Sequence, residues 1–133
     1  MRSPTGKGIR SDGAGDGHYG ASRGTRKHAG LDFLCNPGQV VVMPVTGELS
    51  RVVYPYAGDT TYTGCEILCP KARIYMFYLV PDPDFLNRHL EEGSAIGVAQ
   101  DISKKYGSPM QPHIHFEFKS IDPEMIFALA NLQ

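Results

Sequence analysis

From Leu31 onward the apolar residues come in short runs, QVVVMPV, GELSRVVY, GCEILC, RIYMFYLV, SAIGVAQ and PHIHFEF, broken by Gly, Pro, Asn or Asp. Several runs of strand length at close spacing predict an all-β domain. In RIYMFYLV, alternation sends Ile74, Met76, Tyr78 and Val80 to one face and Tyr75, Phe77 and Leu79 to the other. Both faces then carry apolar bulk, so this run reads as a central strand covered on both sides. Two helical signals interrupt the pattern. Asp122-Pro123-Glu124 offers an N-cap, a first-turn proline and an acidic first turn, and Met125, Ile126, Leu129 and Leu132 follow at helical spacing, predicting a short C-terminal helix. Asp101 to Tyr106 predicts one or two turns, ended by Gly107 and Pro109. Residues 1–26 are different in kind: they hold Gly6, Gly8, Gly13, Gly15, Gly17, Gly20 and Gly24, many charges and almost no apolar side chains. They read as a glycine-rich N-terminal arm, not a core element.

Composition narrows the class. At 133 residues the chain accommodates one domain, 1–133, with no room for a second catalytic unit. Thirteen Lys and Arg against fourteen Asp and Glu leave no general basic field, so nucleic-acid binding is not expected. The longest apolar runs fall far short of the ~20 residues of a membrane-spanning helix, so no membrane span is expected. The N-terminus MRSPTGKGIRSDG lacks the apolar stretch of a secretory signal. The chain is then expected to be cytoplasmic, exported by another route, carried in a larger assembly, or already processed. Cys35, Cys65 and Cys69 allow at most one bridge, and the lone CxxxC lacks partners for a zinc site, so the cysteines read as small hydrophobes.

The histidines carry the chemistry. In Pro112-His113-Ile114-His115-Phe116-Glu117, alternation puts His113, His115 and Glu117 on one face while Ile114, Phe116 and Phe118 pack on the other. Two adjacent imidazoles suit a metal ion but do not complete its coordination. His28-Ala29-Gly30-Leu31-Asp32 supplies candidates for the rest, with Gly30 permitting a bend that turns His28 and Asp32 toward one point. Taken alone, Asp32 also reads as a turn residue and His28 as a solvated neighbour of Arg26 and Lys27. Together the two segments offer three protein ligands, the number in a catalytic zinc site that keeps its fourth position for water, and one further imidazole to act as a base.

The run GDGHYGASRGTRKHAGLD from Gly15 to Asp32, followed by the alternating strands and PHIHFEF, resembles the lysostaphin-type zinc metallopeptidases, which cut peptide cross-links of bacterial cell walls. RGTRKHAGLDFLC, MFYLVP and SIDP are most similar to the branch that includes leukocyte cell-derived chemotaxin and its bacterial and phage relatives. The resemblance runs from about Ile9 to Leu129. It implies a single, mainly antiparallel β-sheet domain, with a cleft floored by sheet and walled by loops. It also implies Zn²⁺ held by His28, Asp32 and His115, with His113 as general base. Glu117 then either holds one imidazole in its tautomer or is a solvated strand carboxylate.

One position departs from the family pattern. Wall-cutting members carry a third histidine in a YxHLS-like strand, whereas the matching stretch here is Met76-Phe77-Tyr78-Leu79-Val80. Tyr78 can donate a hydrogen bond to an oxyanion but carries no positive charge. Loss of one such donor costs on the order of 10²–10³ in rate. The chemotaxin branch has Tyr here too and is not regarded as a peptidase. His89 reads as a surface residue of a polar connection, and His18 either lines the groove or is solvated. Arg23, Arg26 and Lys27 either meet an acidic wall peptide or are simply solvated.

The leading expectation is a zinc-dependent endopeptidase acting on peptidoglycan stem or cross-bridge peptides, with Tyr78 orienting substrate or supporting the oxyanion. A phage endolysin or a virion-associated, tail-borne enzyme fits a chain without a signal. The competing class is a catalytically inactive, zinc-binding, peptidase-like domain that acts as a binding or structural protein.

Overall fold

The computed structural model describes residues 1–124. Two-residue strands β1 (Ser11–Asp12) and β2 (Gly15–Asp16) pair with each other, as do β3 (Ser22–Arg23) and β4 (Arg26–Lys27). There follow β5 (Leu31–Leu34), β6 (Val40–Val42), β7 (Gly47–Val53), β8 (Gly64–Cys69), β9 (Ala72–Phe77) and β10 (Leu79–Pro81). The last strands are β11 (Arg88–Leu90), β12 (Ala95–Ala99) and β13 (His113–Ile121), with helix α1 (Ser103–Tyr106) before β13. The fold is all-β and antiparallel, with a six-stranded sheet in the order β11-β7-β8-β9-β13-β5 and a three-stranded sheet in the order β10-β12-β6.

The core lies between the two sheets. Leu49, Cys65, Ile67, Ile74, Met76, Ile114 and Phe116 come from the large sheet and meet Val41, Leu79 and Ile96 of the small one. Their burial is the main favourable term in the fold, at about 1.5–3 kcal/mol for each large aliphatic side chain. All three cysteines are free thiols, and burial pushes Cys65 up to about 12, so it behaves as a small apolar residue. Helix α1 stops at Gly107, whose φ of 74° lies in the left-handed region. Of the expected C-terminal helix, the Asp122 cap is seen, its Oδ1 accepting from the Glu124 N–H at 2.9 Å, and Met125 to Leu132 lie outside the described residues.

Three expectations change. The run Ile74 to Val80 is not one strand. It breaks at Tyr78, whose φ of 77° a bulky side chain rarely adopts, and the chain passes from the large sheet to the small one. The alternation inverts there: Leu79 is fully buried and Val80 is exposed, while Tyr78 leaves the core altogether. Phe118 also misses the core. The β13–β9 register shifts between Phe118 and Ser120, and the ring is left 40% exposed.

The third change concerns the glycine-rich stretch, which is laid along β5, the edge of the large sheet. Arg10 N–H donates to Asp32 O, Asp32 N–H to Gly17 O and Leu34 N–H to Gly8 O, each at 2.8 Å, and Thr5 Oγ1 donates to Leu34 O at 2.6 Å. Edge-strand backbone groups need partners, and at Gly17 the approach is close enough to require glycine, since a Cβ there would meet Asp32 Cβ at 2.8 Å. The stretch is therefore packed, with Pro4 and Arg10 fully buried.

On the outer face of the large sheet Glu66 is buried among cations. Ser50 Oγ donates to Oε1 at 2.7 Å, Arg51 to both oxygens at 3.2 Å, and Arg73 to Oε2 at 3.3 Å. Burial opposes the charge, but the Arg51 and Ser50 hydrogen bonds and the two guanidiniums overcome it and hold the carboxyl below its ordinary 4.5. A depressed folded value contributes stability above pH 4.5 and loses it as pH falls through that value. Glu66→Gln is expected to cost about 1–2 kcal/mol in urea unfolding at neutral pH, since both guanidiniums are partly solvated. The difference from wild type should close on acidification; a difference unchanged in strong acid would refute the assignment.

Candidate metal centre

Antiparallel pairing sets His115 of β13 directly opposite Asp32 of β5 and, on its other side, opposite Phe77 of β9. His28 reaches the same point from the end of β4. The chain bends at Gly30, and only glycine fits there: a Cβ would meet Phe116 O at 2.2 Å and His115 Cε1 at 2.9 Å. One ligand atom each from His28, Asp32 and His115 then lies within 4.8 Å of the others. His28 Nε2 and His115 Nδ1 stand 3.2 Å and 2.9 Å from Asp32 Oδ1, and 3.1 Å from each other.

The remaining ring nitrogens decide what this cluster needs. His28 Nδ1–H donates to His18 O at 3.1 Å and His115 Nε2–H to Glu117 Oε1 at 2.9 Å. The two inward nitrogens and Asp32 Oδ1 are thus all acceptors, and the neutral cluster holds no hydrogen to place among them. Such a set fits a divalent cation with imidazole and carboxylate ligands, its ring orientations fixed by outer hydrogen bonds. The electrostatics agree. Burial opposes charge on His115, but its hydrogen bonds to Asp32 and Glu117 raise it to about 8, so the cluster favours positive charge where a metal would sit. Burial keeps His28 below the ordinary imidazole value.

Asp32 has a second support, Arg10, whose Nε and Nη2 donate to Oδ2 at 3.3 Å and 3.2 Å, while Nη1 donates to Asp12 Oδ1 at 2.9 Å and Gly15 O at 3.3 Å. Oδ2 is held by the guanidinium, which leaves Oδ1 for the cation. Burial works against the Asp32 charge, and the His115 hydrogen bond and surrounding imidazoles outweigh it, keeping the carboxyl below its usual value. Arg10 was not singled out from the sequence. Its signal was faint: one Arg in a segment whose burial depends on pairing with β5.

His113 shares the β13 face with His115. It donates Nδ1–H to Gln111 O at 2.8 Å, which leaves Nε2 as its basic atom, 3.7 Å from Asp32 Oδ2. Burial holds it below the ordinary imidazole value, so it is neutral and able to take a proton. Tyr78 packs edge-on against this ring, with centroids 5.5 Å apart. The Tyr78 hydroxyl lies 3.2 Å from Tyr56 Oη, which is 2.7 Å from Tyr106 Oη, and burial pushes Tyr78 up to about 12. These groups border a cleft of about 390 Å³. His18 contributes through its carbonyl, its own ring being exposed and paired to Asp16. His89 is exposed on β11, at the sheet edge opposite β5.

No model of a protein family matches the chain. Leukocyte cell-derived chemotaxin-2 of Bos taurus is 33% identical over 107 residues, which cover 80% of this chain and 69% of that protein. The Mus musculus protein is 30% identical over the same extent. The solution structure of lysostaphin matches with a TM-score of 0.58 at 20% identity, over 97% of this chain and 54% of the other. The crystallised lysostaphin catalytic domain from Staphylococcus simulans matches with a TM-score of 0.55 at 21% identity, over 89% of this chain and 92% of the domain. The chain belongs to the lysostaphin-type peptidase family, in its chemotaxin branch. It spans about half of the full lysostaphin chain and most of its catalytic domain. In this lysostaphin-type fold the cluster of His28, Asp32 and His115 stands at the cleft with His113 beside it. Tyr56 and Tyr106 were also overlooked in the sequence. Tyr56 lies far from the histidine motifs along the chain, Tyr106 reads only as the last residue of a short helix, and neither sequence context shows that the two meet.

Proposed function

We propose that this protein is a zinc-dependent endopeptidase acting on the peptide cross-links of bacterial peptidoglycan. The observation that supports this reading best is the convergence of three acceptor atoms, His28 Nε2, Asp32 Oδ1 and His115 Nδ1, beside the unprotonated Nε2 of His113 in an open cleft. When bound, zinc supplies Lewis acidity, polarising a peptide carbonyl and acidifying water. His113 Nε2 removes the proton of the attacking water as its oxygen adds to the carbonyl carbon. The same nitrogen returns that proton to the amide nitrogen as the C–N bond breaks. Glu117 and the His18 carbonyl hold the ligand rings in register. Arg10 holds Asp32 Oδ2 and so orients the carboxylate. Purified protein incubated with sacculi is expected to release muropeptides detectable by mass spectrometry.

A second reading has its own observation. The Tyr78 hydroxyl is engaged by Tyr56 and stays protonated, so it brings no positive charge to a developing oxyanion. On that reading the domain binds zinc and a partner without cleaving, as the similarity to a chemotaxin allows. No products from several wall chemotypes at full zinc occupancy would decide for it. Tyr78→His separates the two further. Histidine tolerates the left-handed backbone at this position better than most residues, and it would restore a group able to carry charge. Turnover is expected to rise by about 10–100-fold, since one oxyanion donor is worth up to 10²–10³ in rate. A fall would show that Tyr78 is already the working group.

A further inference from the structure

We propose that the β3–β4 hairpin is a carboxylate clamp, in which Arg23 and Arg26 hold the free carboxylates of an acidic peptide lying in the cleft. The inference rests on the reading of the cleft as a peptide groove and names its substrate class: stem peptides bearing unamidated acidic groups, in preference to their amidated forms.

Arg23 and Arg26 stand directly opposite each other in the hairpin register, so their side chains leave the ribbon on one face. Both border the cleft, as does His28, two residues beyond Arg26 along the chain. Like charges placed opposite each other repel, and an anion bridging them removes that cost. The two arginines are held differently. Arg23 is anchored, with Nη2 donating to Asp16 O at 2.8 Å and lying 3.6 Å from Asp32 Oδ2, and Nη1 donating to Ser22 O at 3.0 Å. Arg26 is exposed and has no hydrogen bond or ion pair among the described residues.

The charge balance of the cleft points the same way. Its ionised lining consists of Arg10, Arg23 and Arg26 against Asp32. Arg10 is buried and committed to Asp32 and Asp12, so Arg23 shares Asp32 with it and Arg26 has no counter-charge among the described residues. A planar fork of donors matches a carboxylate in bidentate fashion better than any other side chain. Because the hairpin leads into His28, the clamped carboxylate lies within a side chain's reach of the metal ligands.

The test uses the zinc-loaded full chain carrying His113→Ala, so that peptide is retained, and isothermal titration with a synthetic stem peptide in free-acid and fully amidated forms. The free acid is expected to bind about tenfold or more tightly, weakening with added salt. Arg23→Gln and Arg26→Gln should each weaken the free acid by about tenfold and leave the amidated peptide unchanged. Equal affinity for both peptides, arginine variants that weaken both alike, or no binding of either peptide would overturn the clamp. Failure of the peptidase reading looks different: the free acid binds selectively, yet wild type releases nothing from sacculi. Cleavage by wild type without any preference for the free acid would instead remove the clamp and keep the peptidase.

Discussion

Asp32→Asn is expected to lose the metal and about 3 kcal/mol of folding stability together. The first loss follows because Asp32 Oδ1 is the one anionic atom among the three convergent ligand atoms. Structural zinc sites bind with about 10–16 kcal/mol shared over their ligands, so removing one ligand should weaken zinc by about two to three orders of magnitude. The second loss follows from Arg10, which is 2% exposed and donates two hydrogen bonds to Asp32 Oδ2. Removing one partner of a buried ion pair costs about 3–5 kcal/mol, and the lower end applies because Asp12 still faces the guanidinium. Unfolding with and without zinc separates the two effects. With chelator present, the gap between wild type and variant measures the metal-free contacts of Asp32, those to Arg10 and the imidazoles. With zinc at about a thousandfold the wild-type dissociation constant, the gap should widen by about 3–4 kcal/mol. A gap of the same size under both conditions would show that the cluster holds no metal.

The other large effect is His113→Ala, for which kcat on sacculi is expected to fall by about 10²–10⁴ while zinc content stays at one ion per chain. The ring touches the cluster only at 3.7 Å through Asp32 Oδ2, and His28, Asp32 Oδ1 and His115 remain in place without it. Metal analysis beside initial rates of muropeptide release distinguishes a lost base from a lost metal. Unchanged kcat would remove His113 from the reaction, and zinc falling in parallel would move it into the ligand set.

What could be read from the chain differs from residue to residue. The shared face of His113, His115 and Glu117 was legible because it depends only on the period of an extended backbone, and the structure places Glu117 Oε1 on His115 Nε2 as that alternation requires. His28 and Asp32 were legible as a pair joined by a bend at Gly30, but the chain's passage against Phe116 O, which leaves no room for a side chain there, was not. Tyr78 was singled out for its chemistry and then assigned to the wrong face, because one left-handed residue inverts every later position of a strand. Arg10 and the packing of the glycine-rich stretch escaped notice altogether. Their burial depends on hydrogen bonds to β5, residues distant in the chain, and composition carries no trace of such partners.

The order of amino acids by itself determined the all-β character, the histidine-bearing face of the penultimate apolar run and the set of side chains able to grip a cation, since these depend on local periodicity and chemical identity. Only the tertiary structure decided that β5 and β9 flank β13, that Arg10 braces Asp32 from inside, and that Tyr78 turns from the core to the cleft. Those outcomes arise from pairing between segments far apart in the chain, where hydrogen-bond satisfaction and close packing, not neighbouring residues, select the register.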